Sequence, residues 1–338
     1  MIWMTWRQFR TPALATGALL VVVLGGLALT WSEVTELASR TGYTGCQGDA
    51  CRAAGEAFLQ ALQPGWASEF HIAAIAALYL LPALVGIFWG APLVARELES
   101  GTYRMVFSQS VSRGRWLLVK LAVGGGAAAL GAGLLSLMLS RWAQPIDGAT
   151  ADRMNPLVFA ARGIVPVGYA ALAFTVGVTI GLLLRRTLAA MAVTLLVIVS
   201  LQIAAPFVVR PWLAQPSTIV TPLQVDGEYG LSMSPDTGEM TVHLEPDRRG
   251  DWVLSSTTIT ATGAEFRGPA DMTQCGPLAP RDRETCPRWL EKQNLRQEVV
   301  YVPGSKFWIL QWREFGVLFA LTAALSLFSL WWIRRRLV

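Results

Sequence analysis

The sequence predicts an all-α polytopic membrane protein with six transmembrane helices, and two observations support this prediction. Of its residues, 53% are hydrophobic and only 15% are charged, whereas an average soluble domain carries about 25% charged residues. The apolar residues also form six uncharged runs of about 19 to 25 residues, the length that crosses about 30 Å of hydrocarbon. These runs lie at residues 13–31, 71–94, 121–139, 163–184, 188–209 and 315–333.

A short amphipathic helix is predicted before the first run, at residues 1–12. Its aromatic side chains suit the membrane interface and its arginines suit lipid phosphates. The expected membrane-anchoring residues are Trp3, Trp6, Arg7, Phe9 and Arg10. For the first apolar run, a cleaved signal peptide is the alternative to a transmembrane helix. A retained helix is favoured because the apolar run is long and no clean small-residue cleavage site follows it.

Basic residues in the short connections predict that both ends of the chain are cytoplasmic, because positively charged segments resist translocation. With six spans, four basic clusters fall on one side of the membrane. They contain Arg7 and Arg10; Arg96, Arg104, Arg113, Arg115 and Lys120; Arg185 and Arg186; and Arg334, Arg335 and Arg336. Residues 32–70, 140–162 and 210–314 are then outside, although three arginines in the second of these weaken the pattern. We expect a multi-pass protein of the plasma membrane.

Residues 210–313 predict a small mixed α/β extracytoplasmic domain between the fifth and sixth spans. Short β-prone runs at 240–244 and 252–260 alternate with turn residues, and residues 287–297 predict a helix with proline in its first turn. The rest of the chain divides into residues 13–209, with spans one to five, and residues 314–338, with span six and a cytoplasmic tail.

All four cysteines fall in segments predicted to be outside, where disulfides form. Four cysteines allow three pairings. We favour Cys46 with Cys51 and Cys275 with Cys286, because each bond closes a short loop within one segment. A bond between the two segments and free thiols are the alternatives. No repeated CxxC spacing predicts zinc, and we expect no metal or cofactor on this chain.

The spans lack the groups that several functions need. They contain no Asp, Glu, Lys or Arg, which disfavours proton-coupled transport. Gln202, the most polar large side chain at depth, is expected to form an interhelical hydrogen bond. No GxSxG or HExxH motif of a hydrolase is present. The three lysines, Lys120, Lys292 and Lys306, do not follow the glycine of a phosphate-binding loop, so ATP hydrolysis would need a separate polypeptide.

The one sizeable cytoplasmic connection, residues 95–116, is the expected contact for such a polypeptide. Its first part is acidic and helix-prone, and Gly101 can end that helix. Its second part is a turn rich in serine and arginine. A short helix across the inner face would suit a cytoplasmic motor, whereas a charged loop that only obeys the positive-inside rule is an equally good interpretation.

Three separated motifs resemble those of the permease subunits of type-2 ATP-binding-cassette (ABC) exporters, particularly the form common in actinobacteria. The first, Met4-Thr5-Trp6-Arg7-Gln8-Phe9-Arg10, is similar to the family's elbow helix. The second, Glu97-x-Glu99-x-Gly101-Thr102 followed by Gln109-Ser110-Val111-Ser112-Arg113 and Lys120, is similar to its coupling helix. The third is Phe307-Trp308-x-x-Gln311-Trp312-x-Glu314 with Trp331-Trp332-x-Arg334-Arg335-Arg336. Many relatives have a proline in place of Val111.

The resemblance implies a permease dimer, homomeric or heteromeric, docked to two copies of an ABC ATP-binding subunit that holds ATP and Mg²⁺. It also implies that the ATPase couples to this chain through Arg96, Glu97, Glu99, Gly101, Thr102, Gln109, Ser110, Ser112 and Arg113. Membrane lipids are the other expected partners, and nucleic acid is not. Gly125, Ala129 and Gly133 predict close packing of span three, within the chain rather than at the dimer seam.

The leading functional prediction is export of an apolar or amphipathic compound, such as a drug, an antibiotic or a lipid, because the spans offer no charged binding site. A non-transporting protein that transmits ATPase motion to its outer domain, for signalling or assembly, is one alternative. A stand-alone channel is another. In each case this chain itself is not expected to be an enzyme.

Overall fold

A computed structural model describes residues 2–48, 50–101, 112–223, 229–233, 239–244, 248–269, 273–275 and 285–336. The chain divides into two units. The first, Met1–Leu213 with Phe307–Val338, is helical, and the second, Ala214–Lys306, contains the strands. Each unit is described separately below.

Helices form the first unit. In chain order they are α1 (Ile2–Leu29), α2 (Trp31–Arg40), α3 (Ala50–Leu62), α4 (Trp66–Leu84), α5 (Ala91–Glu99), α6 (Arg113–Trp142), α7 (Gln144–Thr150), α8 (Pro156–Ala160), α9 (Val165–Leu184), α10 (Thr187–Ala204), α11 (Arg210–Ala214) and, after the second unit, α13 (Phe307–Arg335). Two π-helical segments, Val85–Gly90 and Ala205–Val209, join α4 to α5 and α10 to α11. A π-segment places an extra residue in a turn and is often found at functional positions.

Among the described residues, six helical stretches are long and apolar enough to cross a membrane, which agrees with the predicted number. They are Pro12–Arg40, Trp66–Glu99, Arg113–Trp142, Val165–Leu184, Thr187–Ala214 and Gly304–Arg335. A separate elbow helix at residues 1–12 is not confirmed, because α1 continues from Ile2 to Leu29 and contains Pro12. The side chains of the predicted anchors Trp3, Trp6, Arg7, Phe9 and Arg10 lie outside the described part of the structure.

Consecutive membrane-length helices alternate in direction, which gives the helical unit two distinct ends. At one end, here called the basic end, Glu99 contacts Thr187 and Gly114 lies against the guanidinium of Arg334. At the opposite end, α2, α3, α7 and α8 form a helical cap, and we call this the cap end. Separate clusters of buried apolar side chains fill the basic half and the cap half of the bundle.

Helix α9 is the central helix, because it contacts α4, α5, α6, α10 and α13 and most of its side chains are buried. Glycines bring its backbone against α5 and the preceding π-segment. A Cβ atom added at Gly177 would lie 2.8 Å from the amide nitrogen of Ala91, and one at Gly181 would lie 2.6 Å from the Ala91 carbonyl oxygen. Cβ atoms do not approach backbone so closely, so these helices can pack only with glycine at these positions.

Span three packs small residues against α9 within the chain, but the buried stripe, Gly124, Ala128 and Ala132, lies one position before the predicted residues. A Cβ at Gly125 would lie 3.5 Å from the ring of Phe174, and one at Gly133 would lie 3.4 Å from Val167. Both neighbours belong to α9. This face of α6 is therefore occupied by α9.

The helical cap contains the first predicted disulfide. Cys46 and Cys51 are bonded, with their Cα atoms 5.0 Å apart. In the same cap, the ring of Tyr43 stacks on that of Phe58, with ring centroids 5.7 Å apart. A Cβ at Gly148 would lie 2.7 Å from the Tyr43 hydroxyl oxygen, so α7 packs directly on this aromatic pair.

In the part of the second unit that the structure describes there are six strands and one helix. The strands are β1 (Ser217–Pro222), β2 (Tyr229–Met233), β3 (Glu239–Leu244), β4 (Trp252–Ile259), β5 (Gly268–Pro269) and β6 (Arg296–Val302), and the helix is α12 (Thr285–Lys292). They pair antiparallel into two sheets of order β1-β6-β4 and β2-β3-β5. The second predicted disulfide, Cys275–Cys286, packs in a core with Met240, Phe266 and Leu290.

The predicted helix at residues 287–297 is wrong at its C-terminal end. Helix α12 stops at Lys292, Asn294 adopts a left-handed backbone with φ 51°, and Arg296 already begins β6. Strand pairing with both β1 and β4 fixes residues 296–302 as the central strand. Tertiary pairing therefore overrides the local helix preference.

We predict that Gly177→Ala destabilises the helical unit by about 1–3 kcal/mol, the usual cost of overpacking a dense core. The added methyl group would meet the backbone of Ala91, which cannot move away without displacing α5. The midpoint of thermal unfolding of the purified protein in detergent measures this effect.

The matched control is Gly126→Ala, which makes the same change within a membrane-length helix where nothing lies within 4 Å of the new Cβ atom. It should leave the midpoint unchanged or raise it slightly, since alanine favours helix. Equal destabilisation by both variants would show that the backbone contact at Gly177 is unimportant.

Candidate functional site

The predicted coupling residues lie at the basic end, where α5 ends and α6 begins. Arg96 and Glu99 are exposed on α5, and Gly101 follows with a left-handed backbone of φ 72°. Ser112 caps α6, its hydroxyl accepting a hydrogen bond from the amide of Arg115 at 3.4 Å, and Arg113 is the first residue of that helix. The predicted coupling residues Thr102, Gln109 and Ser110 lie outside the described residues.

Glu97 faces the interior of the bundle rather than its surface. Its carboxylate oxygen Oε1 accepts a hydrogen bond from Lys120 Nζ at 2.7 Å. The same ammonium donates to the carbonyl oxygen of Leu93 at 3.0 Å and lies 4.3 Å from the centroid of the Trp116 ring. Glu97 therefore joins α5 to α6, and its carboxylate lies within the bundle.

Glu99 joins α5 to the start of α10. Its Oε2 atom accepts hydrogen bonds from both the amide and the hydroxyl of Thr187, at 3.0 and 2.7 Å. The two residues are far apart in sequence, so the contact brings the predicted coupling segment against the connection between α9 and α10. No feature of the sequence around Thr187 indicates this contact.

The second and third sequence motifs meet at the basic end. A Cβ atom at Gly114 would lie 2.9 Å from Nε and Nη2 of Arg334. The guanidinium near the end of α13 thus covers the first turn of α6, at the C-terminal end of the predicted coupling connection, residues 95–116.

A buried ion pair joins the ends of α10–α11 and α13 at the cap end. Arg210 Nε donates to Glu314 Oε2 at 2.9 Å, and both side chains are at most 3% exposed. Arg210 also donates to the carbonyl oxygen of Pro156 at 2.8 Å, and the hydroxyl of Tyr169 donates to Glu314 Oε1 at 3.0 Å. The pair therefore holds four elements together: α8, α9, α11 and α13.

The glutamine of the third motif provides a second link between α13 and α9. Gln311 Oε1 accepts hydrogen bonds from the amides of Ile164 and Val165, at 3.0 and 3.1 Å. Its Nε2 atom donates to the carbonyl oxygen of Phe159 at 3.0 Å. The first amides of a helix lack partners within that helix, so Gln311 satisfies the N-terminus of α9.

A second buried arginine, Arg162, organises the helical cap. Arg162 makes a bidentate ion pair with Asp147, at 2.9 and 3.0 Å, and lies 3.1 Å from Nε2 of His71. Because arginine only donates, Nε2 of His71 accepts this bond, and the ring proton of a neutral His71 is on Nδ1. The cluster links α4, α7 and the segment before α9.

The predicted role of Gln202 is confirmed. Its Nε2 atom donates to the carbonyl oxygen of Tyr79 at 3.0 Å, which is a hydrogen bond between α10 and α4. Both residues line a small cavity with Leu78, Ala160, Pro166, Tyr169 and Arg210.

The charged residues of these pairs border the predicted uncharged runs. Lys120, Arg210 and Glu314 each lie one residue beyond a predicted span, yet the structure places them within membrane-length helices. A search for uncharged runs therefore finds the spans, but it ends each span before the charged residues that are buried near the helix ends. Their pairing, across up to 104 residues, leaves no local sequence signal.

The buried charges that the structure describes connect helices to one another. The buried charged residues among the described side chains are Glu97, Lys120, Arg162, Arg210 and Glu314, and each is in an ion pair. No group of three His, Cys, Asp or Glu residues in the described part of the chain could hold a metal ion. The arrangement instead connects elements at the two ends of the bundle.

Comparison with known protein families identifies the helical part of the chain. A family model described as ABC-2 membrane transporter related matches residues 17–210, more than half of the chain. The matched stretch contains α5, most of the first five membrane-length helices and Arg210. No significant match was found among curated proteins or among solved structures.

We predict that Arg210→Leu destabilises the helical unit by about 3–5 kcal/mol, because it leaves the Glu314 carboxylate buried without its countercharge. Thermal unfolding in detergent measures the change. Adding Glu314→Leu should recover part of the loss, since the unpaired charge is then removed.

The control is Arg40→Leu, which breaks a pair with Glu36 whose side chains are 71% and 58% exposed. That change should cost no more than about 1 kcal/mol. If Arg210→Leu is equally mild, the cap-end ion pair does not hold the helices together.

Proposed function

The chain belongs to the ABC-2 membrane transporter related family, and from this we propose that it is the membrane-spanning permease subunit of an ABC exporter. In this proposal a separate ATP-binding subunit holds ATP and Mg²⁺ and performs the hydrolysis, while this chain is not an enzyme. The family match, over a stretch that includes α5 and most of the first five membrane-length helices, is the observation that supports it.

The basic end is the proposed cytoplasmic face and docking surface. It carries Arg96, Arg115, Arg185 and Arg186 as exposed residues, and positively charged connections remain in the cytoplasm. The disulfide-bonded helical cap is then extracytoplasmic, where disulfides persist, and both termini are cytoplasmic in the plasma membrane.

The proposed contact with the ATP-binding subunit comprises the exposed face of α5 and the segment that follows it. We call α5 the docking helix, and α5 together with the segment that follows it the docking segment. Arg96, Gly101, Ser112 and Arg113 remain candidates for direct contact, as do Thr102, Gln109 and Ser110 on the sequence motif alone. Glu97 is better assigned to holding the docking helix on α6, because its carboxylate pairs with the buried Lys120.

The assembly proposed is two permease chains with two ATP-binding subunits. Within one chain, the apolar central parts of Thr187–Ala214 and Gly304–Arg335 are mostly exposed, with only 17% of their residues buried. Such apolar surfaces suit lipid or a second permease, of this chain or of a relative.

The proposed cargo is an apolar or amphipathic compound, such as a drug, an antibiotic or a lipid. The buried charges that the structure describes are used in ion pairs, so they are not available to bind a charged solute. A charged cargo would need a countercharge within the bundle.

A second candidate function is transmission of ATPase motion to the extracytoplasmic segment, for signalling or assembly. The separate unit Ala214–Lys306 favours it, because that unit lies outside the family match. Binding of a partner protein to this unit, in a complex that moves no cargo, would support this function over export.

We predict that an ABC ATP-binding subunit co-purifies with this chain from its native membrane in mild detergent. Arg96→Ala should reduce the recovery of that subunit, since Arg96 is exposed on the docking helix. Quantitative mass spectrometry of the purified complex and its ATP hydrolysis rate are the measurements.

Arg52→Ala is the matched control, because Arg52 is an exposed helical arginine on α3 at the cap end. It should leave both recovery and hydrolysis unchanged. Absence of any ATP-binding subunit from the wild-type preparation would contradict the exporter proposal, and solute flux through the chain alone in liposomes would indicate a channel.

A further inference from the structure

We propose that Glu99 is a positioning residue that caps α10 from the neighbouring helix and makes α10 the rigid link between the docking segment and the cap-end ion pair. The inference rests on the proposed function, since it describes how a movement imposed on α5 would reach the opposite end. It assigns a role in transmission to Glu99, Thr187 and Arg210.

Helix α10 lacks a cap of its own. Its N-cap residue is Arg186, with an extended backbone of φ −131° and ψ 120° and no side-chain hydrogen bond to the helix. Arginine has no acceptor with which to satisfy the first amides of a helix. A serine, threonine, asparagine or aspartate would ordinarily stand here.

Glu99 supplies the missing acceptor from α5. Its Oε2 atom binds both donors of Thr187, the amide and the hydroxyl. A carboxylate also suits the positive end of the helix dipole. The first turn of α10 is therefore completed by a residue of the docking segment, so displacement of α5 must either break two hydrogen bonds or carry α10 with it.

The connection before α10 leaves little slack. Only two residues separate α9 from α10, and Arg185 is held in the left-handed region with φ 55°. Movement of the α10 N-terminus thus cannot be absorbed by a flexible loop. It must appear farther along the helix.

The other end of the link is the cap-end ion pair. From Thr187 to Arg210 the chain spans 23 residues, which corresponds to about 35 Å of helix at 1.5 Å per residue. Arg210 at that end binds Glu314 and the Pro156 carbonyl oxygen. The π-segment Ala205–Val209 directly precedes Arg210, so a small change in its winding would reorient the guanidinium.

One face of the helix between these two contacts is exposed, and the other packs on α5 and α9. Large side chains along it are exposed, including Leu188, Leu196 and Phe207, which are 82%, 67% and 78% exposed. The hydrogen bond of Gln202 to Tyr79 ties its far half to α4, which belongs to the same membrane-length helix as α5. Helix α10 and the docking segment thus form one connected body.

The test uses the complex of this chain with its ATP-binding subunit in lipid nanodiscs. Spin labels on Leu157→Cys and Phe207→Cys report the distance across the cap end, without nucleotide and after trapping with ADP and vanadate. Both positions are exposed, and the four native cysteines are in disulfides, so within each permease chain labels attach only to the new pair when the ATP-binding subunit is used in a cysteine-free form. Wild type should show a trapping-dependent shift in this distance.

Three variants separate hydrogen bonding from charge. Glu99→Leu removes the acceptor. Thr187→Pro removes both donors. Proline is accepted at the first position of a helix, and the backbone of Arg186 already has the extended conformation that residues before proline adopt. Both should abolish the cap-end shift and lower coupled ATP hydrolysis about tenfold, the effect of losing hydrogen bonds to a charged group. Glu99→Gln keeps an acceptor and should retain most of the shift.

The control is Glu36→Leu, which removes an exposed acidic residue of α2 and should leave the shift intact. If Glu99→Leu retains the wild-type shift, α10 does not carry the movement and the inference is wrong. If Glu99→Gln fails as completely as Glu99→Leu, the carboxylate acts through its charge, for instance on the ATP-binding subunit. Failure of the proposed function is distinct, because then no ATP-binding subunit assembles with the wild type.

Discussion

Hydrocarbon offers neither water nor counter-ions, so every charge that the bundle buries must find its partner inside the protein. Three ion pairs meet this requirement: Glu97 with Lys120, Arg162 with Asp147, and Arg210 with Glu314. Each joins different elements, and two of them recruit a third: Arg162 contacts His71 of α4, and Arg210 binds the carbonyl oxygen of Pro156 in α8. The need to neutralise charge thus decides which helix ends are tied together, and the apolar surfaces between them decide only how closely they lie.

Backbone contact on α9 complements these polar ties. The glycines at 177 and 181 place the central helix directly on α5 and the π-segment before it, so the proposed docking helix is in backbone contact with the centre of the bundle. A segment held by glycine contact, by Lys120 and by Thr187 cannot move by itself. Whatever force acts on α5 is therefore distributed to α6, α9 and α10 together.

The sequence was sufficient for features that depend on composition along the chain. Six uncharged runs located the membrane-length helices, and short spacing within one segment identified both disulfides. The sequence was insufficient where function depends on distant partners. Glu97 and Glu99 are two residues apart in one motif, but on a helix they face different ways, and the structure gives one to Lys120 and the other to Thr187. Neither partner could be selected from spacing alone. Helix α12 also ends earlier than its sequence suggests, because the residues that follow pair as a strand.

The cap-end ion pair also determines how the chain can carry its second unit. Arg210 and Glu314 lie on either side of residues 214–306, and Arg313 donates to the Leu213 carbonyl oxygen at 2.7 Å. The points at which the chain leaves and re-enters the helical unit are consequently clamped together, whatever lies between them. Insertions that begin and end at such closely spaced points can be lengthened, replaced or lost with little cost to the host fold. An evolving lineage could therefore exchange the intervening module while inheriting the helical machinery intact.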